Sequence, residues 1–361
     1  PDHFACRAIP SQHESCHVRY FMNHPLLQRT TTEIPSKLAT SCMHQRREYG
    51  FPESHAASFA LLVYSSAWLR RHEPGVFLTA LLNSQPMGFY TPSQLLQDAQ
   101  RRGVEVLPVD VNASTWDSAI EGPTTSAPVR LGFSLLRGMR EDVAGRIELA
   151  RAARPFADVA DLARRAQLDR HDLQVLAGAN ALRALAGDNR RDALWLAAAA
   201  VPDRDLLRGT ERDDAVPALP RASEGHEIVT DYRAMGFTLG RHPLALLRDR
   251  LALDHLQSAE QLATLRSGQL ARACGLVTVR QRPGTANGVL FMTLEDETGQ
   301  VNVILWPGLL EKFRKEALGA ALLAVYGVWQ AEGKVRHLIA SKLVDRTELL
   351  GALPTTAREF C

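Results

Sequence analysis

GVLFMTLEDETGQVNVILW, residues 288–306, holds two runs of alternating apolar residues on either side of the turn DETG, Asp296 to Gly299. Alternation with a period of two is the mark of strands that bury one face, and a short acidic-glycine turn joins such strands into a hairpin. Working outward, LARACGLVTVRQR (270–282) alternates in the same way before the hairpin, and LLAVYGVWQ (322–330) and VRHLIASKLV (335–344) do so after it. Between the third and fourth runs lies LLEKFRKEAL (309–318), whose apolar spacing is helical. The order is three strands, a helix and two strands, from about Gln269 to Leu350.

That order predicts an OB-fold, a five-stranded closed barrel that binds single strands by stacking bases on its second and third strands between basic rims. By position the candidate DNA-binding residues are Phe291 and Trp306 on the central strands, Arg280 and Arg282 at the end of the first, and Lys334 and Arg336 on the hairpin between the last two. Alternation leaves two orientations open for Phe291 and Trp306, toward a ligand or into the barrel core. Read alone, the barrel would suit a non-catalytic module for single-stranded DNA or tRNA.

Upstream, VRLGFSLLRGMREDVAGRIELAR (129–151) places a tight turn at Arg137 and Gly138 between two helical pieces, the second with Val143, Ile147 and Ala150 on one face. Glycine permits a turn that a Cβ would obstruct. Such a hairpin at a helix start offers backbone N–H groups to one phosphate whatever the base sequence, and Arg137 and Arg140 add charge. The stretch resembles a helix-hairpin-helix DNA-binding motif. A weaker second copy lies in LDRHDLQVLAGANALRALAGDNRRDALW (168–195), with Gly178 and Ala179 at its turn. The pair is expected over 126–200, followed by a linker and connecting helices over 201–268. Within that linker Asp203 and Asp205 mimic a metal-binding PDxD string but have no β-branched strand around them. They are read as decoys, and His242, before Pro243, as a turn residue without chemistry.

Residues 48–125 read as a small helical block. Ser54 can cap a helix starting at His55 with Phe59, Leu62, Val63, Ala67 and Leu69 on its buried face. Glu73 and Pro74 start a second helix, and Thr91 with Pro92 caps a third that stops at Gly103. VEVLPVDV (104–111) then alternates like a short strand.

The chain of 361 residues is 45% apolar and 23% charged with a net charge of +2, enough for several modules and too near neutral for a polyelectrolyte that wraps DNA unaided. Nucleic-acid contacts are therefore expected to be local. Lysine is confined to five positions, and the arginine excess fits a GC-rich genome. No apolar run approaches the roughly 20 residues of a membrane span. Five cysteines without a CxxC pair and no secretory signal point to the cytoplasm. Residues 1–47 lack sustained periodicity, and His13, Cys16, His17 and Cys42 lack the close knuckle spacing of a structural zinc site, so no metal is expected there.

YGFPESHAASFALLVYSSAWLRRHEPGVFLTALLNSQPMGFY (49–90), taken with 288–306, resembles the bacterial family C DNA polymerases of the polymerase III alpha-like group, and most closely their error-prone branch. The resemblance runs from Glu48 to near the end in the family's order, and it gives the expected fold class: multidomain α+β, with a helical fingers remnant, a helix-hairpin-helix region and a C-terminal OB-fold β-barrel. It implies template-directed DNA synthesis from deoxynucleoside triphosphates on primer-template DNA, Mg2+ in the full-length enzyme, and damage-induced translesion synthesis. It also implies that Ser54 and His55 face the incoming nucleotide. The family's palm carboxylates precede the matching segment, so the fragment is expected to bind DNA and polymerise nothing. Nothing in 1–47 resembles the family, and that segment is expected to be disordered or to come from a displaced reading frame.

Overall fold

The computed structural model describes residues 53–87, 90–122, 127–200, 219–333, 335–354 and 358–360. Two compact units divide the chain, Pro1–Ser65 and Ser66–Cys361. Expectations placed on 1–47, on Asp203 and Asp205, and on Lys334 lie outside the described residues.

The first unit contributes the start of helix α1 (Glu53–His72). Sequence patterning predicted a buried face here, yet Phe59, Leu62 and Val63 are exposed by 53%, 60% and 66%. In the second unit Ala67 is exposed and Leu69 buried. The apolar residues run round the helix, with Leu61 and Tyr64 exposed as well, so they mark no one side for burial.

Within the second unit, α2 (Pro74–Asn83) begins with proline at its first turn, where the missing N–H costs nothing. Helix α3 (Pro92–Arg101) opens on a capping box in which the Thr91 hydroxyl accepts from Gln94 N–H and the Gln94 side chain accepts from Thr91 N–H. It ends as expected at Gly103, whose φ of +83° suits a residue without Cβ. Three two-residue strands follow, β1 (Val106–Leu107), β2 (Ala119–Ile120) and β3 (Val129–Arg130), with β3 in the middle.

The hairpin region comprises α4 (Glu141–Ala153), α5 (Val159–Arg165), α6 (Arg170–Gly178) and α7 (Arg190–Ala199). One apolar core runs through all of this: Leu78, Leu82 and Leu96 are buried in the same cluster as Phe133, Ile147, Leu162 and Leu176. The helical block before residue 125 and the hairpins after it therefore share their interior. Helix α8 (Glu224–Ala234) closes on α7 through the buried Arg190, which pairs with Asp231 and, at 3.0 Å, with Glu227.

The barrel is built from β4 (Leu270–Gln281), β5 (Leu290–Glu295), β6 (Gln300–Leu305), β7 (Leu322–Glu332) and β8 (Val335–Asp345), with helices α11 (Pro307–Lys312) and α12 (Arg314–Gly319) between β6 and β7. Its strands run β5-β6-β8-β7-β4, and β4 pairs back onto β5 to close it. Only the β6–β8 pairing within this ring is parallel. This is the predicted OB order. Alternate residues fill the interior: Leu290, Met292 and Leu294 from β5, Val301, Val303 and Leu305 from β6, and Leu323, Val325 and Trp329 from β7. A short strand β9 (Arg358–Phe360) adds to β4 in parallel.

Helices α9 (Pro243–Leu253) and α10 (Ala259–Ala263) join the two cores. Leu244, Leu251 and Leu256 cover Cys274, Leu276, Leu322 and Ala324 on the outside of β4 and β7. The β5–β6 turn then fastens onto the helices through three successive carboxylates. Glu295 accepts from Gln97 of α3 at 2.8 Å, Asp296 accepts from Ala259 N–H at the start of α10 at 2.7 Å, and Glu297 takes a bidentate pair from Arg248 of α9 at 2.5 and 2.7 Å. His242 caps α9, its Nδ1 accepting from Leu244 N–H, while its Nε2 stands 3.7 Å from Glu295 Oε1.

Burial would raise the Glu295 carboxyl, but His242 and the Gln97 amide more than offset it and hold it below the ordinary carboxylate range. Arg248 does the same for the half-buried Glu297 against the same opposing burial. Carboxyls depressed in the folded state stabilise it above their ordinary pKa and cease to do so as pH falls through the folded value. The melting temperature should therefore decline as pH drops from about 5 toward 3, and less steeply in Glu295→Gln. Asp296 also accepts from Thr298 and Gly299 N–H, so Asp296→Ala should cost about 1–3 kcal/mol in urea unfolding. An unchanged midpoint would show that the turn is not a fastening.

Candidate nucleic-acid interface

The first hairpin passes from a 3-10 turn, Phe133–Leu135, through residues 136–139 into α4. Gly138 has φ +85°, which makes it the residue the turn requires, as the sequence anticipated. Arg137 is exposed, but its backbone N–H donates to Ala234 O at 2.8 Å and its guanidinium to Tyr232 O at 3.2 Å, so the turn is pinned to the end of α8. No side chain caps α4, which leaves amide N–H groups at its start available to an anion, though Glu141 and Asp142 in its first turn oppose one.

Arg140 does not present an unpaired charge. Its guanidinium lies 3.1 Å from the buried Asp172 and 3.6 Å from Asp169, both on the second hairpin's first helix or its cap, and the pairing raises its pKa. Its observed contact is a clamp between the two hairpins, reinforced by Arg146 at 3.6 Å from Asp172. In the second hairpin the turn after α6 falls at Ala179 and Asn180, and Asn180 takes the left-handed conformation (φ 59°). Asparagine tolerates that conformation, and Gly178 completes α6 instead.

On the barrel, Phe291 is 36% and Trp306 55% exposed, which settles their orientation in favour of the surface. Phe291 lies on the outward face of β5 and β6 with Thr293, Asn302 and Ile304, and Trp306 follows β6 directly at the start of α11; Phe291 pairs across with Ile304 and Thr293 with Asn302. Strict alternation from the buried Met292 and Val303 would have found these three neighbours. Arg282 and Arg336 are exposed at the rims.

Arg280 is a correction. It is buried, and its guanidinium donates to Ala317 O at 2.8 Å and Ala320 O at 2.5 Å, satisfying carbonyls at the end of α12. The cause is a register shift between Val277 and Val279, after which Arg280 faces the inward Met292. One extra residue in a strand moves everything beyond it to the other face.

Ser54 and His55 lie in the first turn of α1, which the structure starts one residue before the expected cap. Their side chains are outside the described residues. Among the described residues no group of three or more His, Cys, Asp or Glu stands together as a metal site, and no helix is long and apolar enough to cross a membrane.

A helix-hairpin-helix region followed by a closed OB barrel defines a nucleic-acid-binding chain. Residues 103–193 match the helix-hairpin-helix motif family and residues 271–345 the OB-fold nucleic acid binding domain family. The chain is 60% identical over 320 residues to an error-prone DNA polymerase of Burkholderia pseudomallei (strain K96243), covering 87% of the chain and 30% of the relative. It is 55% identical over 325 residues to that of Ralstonia pickettii (strain 12J), with the same coverage. By sequence the chain is similar to error-prone DNA polymerases over 87% of its length, and it spans about 30% of the length of the curated relatives it matches. Among solved structures, asparaginyl-tRNA synthetase from Pyrococcus horikoshii is 23% identical over 22% of the chain and 20% of its own, with a TM-score of 0.19, too low to carry weight.

The two arginines at the end of β4 should separate cleanly. Arg280→Ala should lower stability by about 1.5–3 kcal/mol, the range for hydrogen bonds to charged groups, and leave the salt dependence of DNA binding unchanged. Arg282→Ala should do the reverse, flattening the salt slope for single strands by about 0.7. Identical behaviour of the two variants would contradict the assignment.

Proposed function

We propose that this stretch grips primer-template DNA for a DNA-directed DNA polymerase that works in damage-induced translesion synthesis. The barrel takes single-stranded template across Phe291 and Trp306, with Arg282 and Arg336 at the rims and Lys334 kept from the sequence as a further candidate. The hairpin pair takes duplex backbone at the turn of Arg137 and Gly138 and the uncapped start of α4. Two exposed aromatics, Phe291 on the outward face of β5 and Trp306 directly after β6, with exposed arginines at both ends, carry this reading. Stacking on such side chains contributes about 1–3 kcal/mol per base and tolerates any sequence, which suits an enzyme that must follow a damaged template.

Catalysis of phosphoryl transfer needs clustered carboxylates that hold divalent metal. The described residues offer no such cluster, so no catalytic step is assigned to them. Mg2+ and its ligands belong, on this proposal, to the polymerase beyond this stretch. Ser54 and His55 are retained as candidates on the side of the incoming nucleotide, because a helix start suits phosphate. The cytoplasm, where bacterial DNA lies, is the compartment in which it would act.

The purified chain should shift primer-template more readily than plain single strand and should extend no primer with Mg2+ and all four deoxynucleoside triphosphates present. Phe291→Ala and Trp306→Ala should each weaken single-strand binding about fivefold or more, the lower end expected for one lost stacked base, with unchanged melting temperature. Preference for structured RNA over primer-template would favour the tRNA-binding alternative and sink the proposal, and so would primer extension.

A further inference from the structure

Tyr326 sits on the outside of β7, facing Arg272 of β4 on one side and Lys342 of β8 on the other as direct cross-strand partners. The Arg272 guanidinium lies 5.7 Å and the Lys342 ammonium 5.5 Å from the centre of its ring. Both cations are exposed, and among the described residues neither has a carboxylate within ion-pair distance. Three other arginines near the barrel are occupied: Arg248 holds Glu297, Arg346 holds Asp254 at 2.8 Å, and Arg280 is buried.

This arrangement is built by backbone geometry. The β7–β8 register shifts between Tyr326 and Gly327, so that Ser341 is skipped and Lys342 comes opposite Tyr326 while Leu343 turns into the core. The close approach depends on glycine, since a Cβ at residue 327 would lie 2.0 Å from Ile339 O. Tyr326 itself packs against the apolar cluster under α9, which anchors the base of its ring.

An outward apolar track connects this site to the aromatic face. Phe291 pairs with Ile304, Ile304 with Ile339, Ile339 with Val328 and Val328 with Leu270, and Val328 stands two residues from Tyr326 on the same side of β7. Leu270 is 84% exposed.

We propose that Tyr326, Arg272 and Lys342 form a second contact for single-stranded DNA, on the first, fourth and fifth strands of the barrel, reached by a strand that has crossed Phe291. It rests on the reading of the barrel as a single-strand binder. A base stacks on the Tyr326 ring, and the two cations move from the ring onto flanking phosphates. Their distances lie toward the outer limit of about 6 Å for attraction to an aromatic face, where they are held weakly. A phosphate-bearing strand satisfies both the unpaired charges and the apolar track, whereas a purely acidic peptide would satisfy only the charges.

Oligo(dT) ladders of increasing length, titrated against salt with the whole chain, test this. Arg272→Gln with Lys342→Gln keeps the ring and should flatten the salt slope by about 1.4 on long oligomers, about 0.7 for each cation, with no change on oligomers too short to reach past Phe291. Tyr326→Ala should weaken long-oligomer binding about fivefold or more while leaving short oligomers unaffected, and the glutamine pair carries the test if that variant does not fold. Equal slopes and affinities for wild type and variants on long oligomers would overturn the second contact. Competition by polyglutamate as effective as that by oligo(dT), lost in the glutamine pair, would overturn it in favour of a protein surface. Failure of the wild-type chain to bind oligo(dT) at any length would instead overturn the single-strand reading on which it rests.

Discussion

Three consecutive carboxylates at one hairpin turn fasten the barrel to the helices. Glu295, Asp296 and Glu297 each reach a different helix, and Asp296 is buried as it does so. Polar groups removed from water must be matched by partners or they cost several kcal/mol, so the turn holds only in the arrangement that satisfies all three. The apolar contacts under α9 supply adhesion there, but they are non-directional. The carboxylates supply the direction, and with it the fixed relation between an aromatic strand face and a phosphate-sized helix start.

The remaining charge economy follows the same division between holding and binding. Arg140 clamps the two hairpins through Asp172, Arg190 joins α7 to α8, and Arg280 closes the end of α12. Their charges are already matched within the protein. Arg272, Arg282, Arg336 and Lys342 remain exposed without a described acidic partner, and all four lie on the barrel. A chain near neutrality can therefore still present a local cationic surface where exposed cations stand together without an acidic partner.

Much of this was legible in the sequence. Strand order in the barrel, the capping of α3 by Thr91, the proline start of α2 and the glycine at residue 138 all follow from local rules that do not depend on distant partners. What escaped the sequence was non-local. Register shifts in β4 and β8 each displace alternation by one residue, sending Arg280 inward and bringing Lys342 beside Tyr326. The partner of Arg140 lies 32 residues away in sequence, and nothing in its own surroundings announces it. For α1 the apolar residues run round the helix rather than along one stripe, with Leu61 and Tyr64 exposed beside Phe59 and Leu62, so the expected buried face was not marked by the sequence.

The central claim is that barrel and hairpins form one rigid grip on a single DNA molecule. Photo-crosslinking of the chain to one primer-template, with reactive bases placed singly along the template overhang and reactive phosphates along the duplex, tests it most directly. Crosslinks from the overhang to Trp306 and Phe291 and from the duplex to the segment around Gly138, obtained on the same DNA and both diminished in Asp296→Ala, are the predicted result. Crosslinks to only one of the two surfaces, or a pattern indifferent to the loss of Asp296, would contradict it.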